Sequence, residues 1–318
     1  MINYLVTGGL GFLGSSLVEA LSKRKNNKIY VLDNSSRRRK YKKLKSRNII
    51  YIKGDIRNKK LSFISKINVI YHLAYINGTI NFYKYPKDVL DVGINGTINL
   101  INQVNKSGKN VKKFIYASSS EVYQHTSKIP TPETSHLIVP DIKNPRYSYG
   151  GSKIIGEQLV LYYLRDNIKK IIFRPHNFYG PNMGYNHIIP EIFGKIYKLS
   201  KNLKLKKIKL KIEGTGNETR SFCYIDDAIS AILKCEKVNK NDIFNIGNEE
   251  EIKIIDLVNT MLEILGIKAS IKKGKLKKGS VIRRCPNITK LKKLGYKRKY
   301  KLDYGLNKTL HWYKENLK

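Results

Sequence analysis

The run Ile2-Asn-Tyr-Leu-Val-Thr-Gly-Gly-Leu-Gly-Phe-Leu-Gly14 decides the fold. A short apolar strand feeds a glycine-rich turn, and the turn opens an amphipathic helix over Phe12 to Lys23. Gly9, Gly11 and Gly14 fit a G-x-G-x-x-G spacing, while Gly8, Gly11 and Gly14 fit G-x-x-G-x-x-G. Either spacing permits a tight turn, close approach of backbone to a pyrophosphate, and close packing of helix on strand. The strand-turn-helix context is what gives the motif its weight. Cofactor contacts are expected at Gly8, Gly11, Phe12, Leu13 and Gly14.

Working outward, Lys28 to Asp33 reads as the second strand, with Asp33 at its end. A carboxylate there accepts hydrogen bonds from an adenosine ribose 2′-hydroxyl and repels a 2′-phosphate, which favours NAD over NADP. Arg37, Arg38 and Arg39 follow closely and argue the reverse, but the carboxylate comes first. Further strands are expected at Asn48 to Lys53, Ile67 to His72, Val111 to Ser118 and Lys170 to Arg174, with helices at Val89 to Val104 and Tyr149 to Arg165. Strands that are apolar throughout and alternate with helices predict an α/β fold, a doubly wound parallel sheet of Rossmann type.

Pro175, Gly180, Pro181 and Gly184 then break the alternation. A helix is expected near Ile188 to Leu199, a basic strand near Ile208 to Ile212, and a helix from Ile225 to Cys235, before Asp242 to Gly247 returns as a seventh strand. The expected domains are residues 1–175 plus about 220–247 for NAD. A smaller, discontinuous substrate domain covers about 176–219 plus 248–318.

Two stretches carry chemistry: Tyr116-Ala-Ser-Ser-Ser-Glu-Val-Tyr123 and Tyr149-Gly-Gly-Ser-Lys153. The second sets a phenol and an ammonium four residues apart on one helix face. Tyrosine ionises near pH 10, so it needs a nearby positive charge to act as a base at neutral pH. Lys153 and a nicotinamide ring are expected to lower Tyr149, while Ser119 aligns a substrate alcohol for proton removal.

With these motifs the chain resembles the extended short-chain dehydrogenase/reductases, in particular the NAD-dependent nucleotide-sugar epimerase/dehydratase group. The resemblance also rests on Gly54-Asp-Ile56, His72-Leu-Ala74, Arg174-Pro-His-Asn-Phe-Tyr-Gly-Pro181, Arg220-Ser-Phe-Cys-Tyr-Ile-Asp-Asp227 and Phe244-Asn-Ile-Gly247, and it covers essentially the whole chain. It implies Ser119, Tyr149 and Lys153 as catalytic, with Tyr149 and Lys153 also at the nicotinamide ribose. Asn34, Asp55, Ile56, Leu73 and Ala74 join the cofactor contacts; as a lone residue, Asp55 also reads as a turn former. The resemblance further implies a nucleoside-diphosphate sugar as substrate, held by Ser119, Asn177, Arg220 and Arg284. The chain departs from the family pattern at Gln124, where many members have glycine, and at Asn287, where many have aspartate.

Glu121 bears on the reaction type. A 4-epimerase oxidises C4 and returns the hydride to the other face, needing no further base. A 4,6-dehydratase must also remove the C5 proton, for which a carboxylate such as Glu121 is the expected base. Decarboxylation, or release of a C4 ketone by a dehydrogenase, are the other outcomes. The epimerase reading is preferred by a small margin.

Charge supplies a reading of another class: 62 Lys and Arg against 24 Asp and Glu give +38. From Ile264 to Leu302 there is no acidic residue, while Lys272, Lys273, Lys277, Lys278, Arg283 and Arg284 crowd in. A basic Rossmann-fold protein binding RNA or a membrane surface is therefore the alternative. The intact Ser119, Tyr149 and Lys153 argue against it, and aromatic interleaving is lacking. Cys223, Cys235 and Cys285 show no metal-type pairing. No run reaches the roughly 18 to 20 apolar residues of a membrane span, and a cytoplasmic protein without a metal is expected. The helices Val89 to Val104 and Tyr149 to Arg165 are apolar on more than one face, predicting a homodimer through a four-helix bundle.

Overall fold

The computed structural model describes residues 1–36, 44–276 and 281–316. Arg37, Arg38, Arg39, Lys277 and Lys278 lie outside the described residues. In its first part the chain forms β1 (Ile2–Thr7), α1 (Phe12–Ser22), β2 (Asn27–Asp33), β3 (Ile49–Lys53), β4 (Val69–His72), α2 (Thr79–Lys84), α3 (Pro86–Ser107), β5 (Lys113–Ala117), α4 (Ser148–Gln158) and β6 (Lys169–Pro175). Then come β7 (Phe178–Tyr179), α5 (Ile188–Leu199), β8 (Lys207–Lys211), β9 (Thr219–Ser221), β10 (Cys223–Tyr224) and α6 (Ile225–Cys235). The last part contributes β11 (Asp242–Ile246), β12 (Glu251–Lys253), α7 (Ile254–Leu265), β13 (Lys268–Lys272), β14 (Arg283–Arg284), α8 (Thr289–Lys293) and α9 (Leu302–Asn316).

Seven strands make one sheet in the order β3-β2-β1-β4-β5-β6-β11, parallel throughout. Strand order reverses between β1 and β4, and in such sheets ligands sit beyond the carboxyl ends of the strands at that point. Thr7 pairs in register with both Leu32 and His72 there, so Thr7, Asp33, His72 and Ala117 end neighbouring strands along one edge.

Both faces of the sheet are covered. Tyr4, Val6, Ile29, Val31 and Tyr71 pack in one core with Leu17, Val18 and Ile232. Leu5, Tyr30, Leu32, Ile70 and Phe114 point the other way, onto Val92, Leu100, Ile101 and Val160. Period-two side chains buried on both faces account for strands without polar alternation. The first core runs on into Phe193, Leu257, Met261 and Leu310, so the second part of the chain shares it rather than having a separate one.

Beyond the sheet the described residues form three small ones: β10-β7, β12-β9-β14, and the parallel ribbon β13-β8. In that ribbon Ile208 and Leu210 are buried while Lys207, Lys209, Lys211, Lys268 and Lys272 are exposed. One expected element differs: the helix beginning near Tyr149 is regular only to Gln158, and Leu159–Tyr163 forms a π-helical turn. The wider turn leaves Tyr162 and Tyr163 exposed while Val160 and Leu164 stay in the core.

Candidate active site

The glycine turn has the geometry its sequence demands. Gly8 has φ +69°, and a Cβ there would come 2.7 Å from Ala74 Cα; one on Gly14 would overlap the Gly8 carbonyl oxygen. Gly9 serves packing against β2 instead, since a Cβ would come 2.6 Å from Val31 Cγ1. Both spacings are therefore used, one for the turn and one for packing. Helix α1 starts after Gly11 with no side-chain cap and no acidic residue in its first turn. Its first amides have no carbonyl one turn back to bond and, with the positive end of the helix dipole, suit a phosphate group. The loop thus fits the pyrophosphate of a dinucleotide.

Asp33 lies beside this loop: its carboxylate accepts from Leu10 N at 3.0 Å and Ser35 N at 2.7 Å. Next to it, Asn34 accepts from Ser36 N and reaches Asp55 at 3.4 Å. Asp55 is held by the Arg57 guanidinium, at 2.8 Å and 3.0 Å, which lowers its carboxyl to about 2. Its carboxylate is therefore engaged as a turn residue would be. Ile56 is buried against Gly96 of α3. Leu73 and Ala74 run alongside Gly8, with both amides donating to Thr7 Oγ1 at 3.2 Å.

That Thr7 hydroxyl belongs to a closed chain of bonds. Thr97 Oγ1 donates to Gly93 O, so it must accept from His72 Nε2 at 3.0 Å. His72 Nδ1 then accepts from Thr7 Oγ1 at 2.7 Å. The network assigns the tautomer, and burial keeps the ring neutral by pulling its pKa to about 3.

At the end of β5, Ser119 is extended (φ −159°) and caps a short turn, its Oγ accepting from Glu121 N at 3.1 Å. Tyr149 and Lys153 stand on the first turns of α4, both buried. Lys153 Nζ donates to Ala117 O at 2.6 Å, tying the helix to the strand end. The three residues expected to be catalytic are brought together. The expected lowering of Tyr149 invoked Lys153 together with a nicotinamide ring; within the chain itself, burial sets the electrostatics. Burial raises the Tyr149 phenol well above 10, with the Ser119 hydrogen bond acting against it, and burial pulls the Lys153 ammonium down with Glu157 opposing. Lys153 Nζ is 5.8 Å from the Tyr149 ring centre; within the protein alone, desolvation outweighs its attraction for a phenolate.

A cavity of about 480 Å³ is lined by Glu121, Arg146, Asn177, Arg220 and Arg284. Glu121 accepts from Arg284 at 2.6 Å and lies 3.9 Å from Arg146. Burial pushes the Glu121 carboxyl up, but Arg284, Arg146 and Arg220 together hold it below its ordinary value. Arg220 donates to the carbonyls of Thr219, Val281 and Ile282, and burial followed by Arg284 lowers it to about 10. Asn177 has φ +43° and donates to Ser221 O at 3.0 Å.

Sequence reasoning passed over Arg146, although it lies three residues before Tyr149, one helical turn away. It also missed the frame behind the site: Arg174 and Glu157 form a buried ion pair at 2.6 Å between β6 and α4, and Ser118 donates to the same carboxylate. The two family departures have local reasons. Gln124 has φ +45°, where glycine is least strained, and donates to Glu121 O. Asn287 accepts from Thr289 N at 2.9 Å at the start of α8, as an aspartate would.

A family model described as the NAD dependent epimerase/dehydratase family matches residues 4–247. A UDP-N-acetyl-alpha-D-glucosaminuronate decarboxylase of Bacillus cytotoxicus is 30% identical, over 98% of this chain and 97% of its own. UDP-glucuronic acid decarboxylase 3 of Arabidopsis thaliana is 30% identical over 95% of this chain and 86% of its own. Among solved structures, UDP-glucose 4-epimerase of Thermotoga maritima with UDP-glucose superposes with TM-score 0.85 at 26% identity, covering 100% of both chains.

Proposed function

The chain belongs to the NAD-dependent epimerase/dehydratase family, and on that premise we propose that it is a nucleotide-sugar 4-epimerase working by transient oxidation at C4. NAD is its cofactor and, when bound, supplies the hydride acceptor. The Gly8 to Gly14 turn, the α1 N-terminus and Asp33 are the residues to hold it. Tyr149 takes the C4 hydroxyl proton as the C4 hydride leaves, and both return after the ketone turns over in the cavity. Ser119 orients the hydroxyl, and Lys153 serves Tyr149. Asn177, Arg220 and Arg284 face the nucleoside diphosphate. The smaller, discontinuous part of the chain forms the substrate domain.

The observation that carries the epimerase reading is the clamp on Glu121. A carboxylate held ionised by Arg284 and Arg146 is a weak base for a C5 proton, and epimerisation asks for none. Arg146, Arg220 and Arg284 line the cavity, and their guanidinium groups suit the oxygens of a sugar diphosphate. A second reading, decarboxylation of a uronate, is favoured by Arg146. Its buried Nε has no hydrogen-bond partner among the described residues and suits a further carboxylate.

Proton NMR and mass spectrometry on products from UDP-glucose, UDP-glucuronate and related nucleotide sugars, with no cofactor added, test both. Unchanged mass with inverted C4 supports the epimerase; loss of carbon dioxide supports the second reading. Loss of water would overturn the argument from Glu121.

The proposal includes a homodimer and a cytoplasmic setting. Helices α3 and α4 pack side by side with Leu90, Ile155 and Tyr162 exposed, a surface suited to the same pair from a second copy. The three cysteines are free and buried, as fits a reducing compartment. No helix among the described residues is long and apolar enough to cross a membrane.

A further inference from the structure

Lys153 is set among rings. Its Nζ lies 3.5 Å from the ring centre of Tyr75, 4.9 Å from Tyr116 and 5.8 Å from Tyr149. The carboxylate of Glu157, on the next turn of α4, is taken up by Arg174 and Ser118. A buried ammonium whose neighbouring carboxylate is engaged elsewhere loses hydration without a dedicated counter-charge. An aromatic face within about 6 Å offsets part of that loss.

Tyr75 is fixed in place to do so. Its hydroxyl donates to Ser152 Oγ at 2.5 Å. It occupies a notch that exists because residue 93 of α3 is glycine, where any Cβ would overlap the phenol oxygen. The Tyr75 and Tyr149 rings meet edge to face at 5.3 Å and 90°, and Phe82 stacks on Tyr149 at 4.5 Å.

We propose that Tyr75 is a positioning residue for the proton-transfer pair: its ring face, pinned between α3 and α4, carries the Lys153 ammonium and keeps it charged beside Tyr149. The proposal rests on the assignment of Tyr149 and Lys153 as that pair. The other titratable groups facing Lys153 are Tyr116 and Tyr149, both neutral phenols raised by burial, the neutral His72, and the paired Glu157. Of these rings, that of Tyr75 is nearest to Nζ, at 3.5 Å against 4.9 Å for Tyr116. Without it Lys153 gives up its proton more readily, and the Tyr149 phenol becomes harder to ionise.

The test places Phe, pentafluorophenylalanine and Leu at position 75 of the full chain. Lysine 13Cε NMR follows titration of Lys153, its resonance identified by loss in Lys153→Arg, and kcat/KM is followed against pH on the nucleotide sugar that turns over. Tyr75→Phe is expected to leave the Lys153 midpoint within a few tenths of a pH unit. The fluorinated ring keeps the shape but drains the face, so it and Tyr75→Leu are expected to lower the midpoint by about one pH unit or more. The ascending limb of kcat/KM should then move upward by a similar amount. A midpoint that is the same in all four proteins overturns the proposal, and so does a Phe variant shifted as far as Leu, which would assign the effect to the hydroxyl. Tyr149→Phe separates the two readings: if it still turns over, the pair assignment fails, while the Lys153 midpoints continue to report on Tyr75.

Discussion

Tyr149 carries the proposed reaction through one oxygen atom. Tyr149→Phe removes only that atom from a buried, stacked ring, so the fold should persist while kcat falls by about 10²–10⁴-fold, the usual contribution of a positioned general base. Steady-state kinetics beside circular dichroism checks this, and a variant within tenfold of wild type would remove Tyr149 from the mechanism. The glycines make the complementary case. A methyl on Gly14 meets the Gly8 carbonyl, which is backbone and cannot swing aside. Gly14→Ala is expected to cost about 1–3 kcal/mol and to weaken NAD binding, measured by denaturant titration and calorimetry. These residues were legible in the sequence because their spacing is local. Arg146 was not, because an isolated arginine announces nothing until folding sets it 3.9 Å from Glu121. The upward push of burial on the Tyr149 phenol was not legible for a related reason: sequence spacing shows the charge nearby but not how dry the site is.

Among the elements, the strands of the large sheet follow from continuous apolar runs, and their ends were placed to within about two residues. The π-helical turn after Gln158 had no warning in the pattern, since Leu159 to Tyr163 holds no glycine or proline to mark a break. Strand ends gather the site, and the Thr7-His72-Thr97 chain binds three of those elements, β1, β4 and α3. It imposes a pH dependence, reinforced by His176, which burial and then Arg284 also pull down to about 3. In the unfolded chain both rings titrate near 6.5, so below that pH the unfolded state binds protons the folded state refuses. Stability is fully present above pH 6.5 and is lost as pH falls towards 3. Urea midpoints at pH 7.5, 6 and 5 should fall in that order, and a His72→Asn His176→Asn protein should show a flatter dependence. Equal slopes in the two proteins would place the acid sensitivity elsewhere.

On the scale of the whole molecule, the return of β11 to the sheet was readable as one more apolar strand before Gly247. The shared core was not, because contacts such as those of Phe193 and Leu257 with the sheet's neighbours join segments far apart in sequence. If α3 and α4 form the dimer face, Leu90→Glu with Ile155→Glu should yield a monomer in light scattering at micromolar concentration, and an unchanged mass would exclude that face. The ribbon β13-β8 has another consequence. Lysines alternate with buried residues along β8 and stand at both ends of β13, and charged side chains on an edge strand oppose pairing with another chain. With a net charge of +38, molecules in dilute buffer should behave as mutually repelling colloidal particles with a positive second virial coefficient. Added salt shortens the reach of that repulsion to about 3 Å at 1 M, so concentrated brine, a common aid for basic proteins, should here bring the particles together.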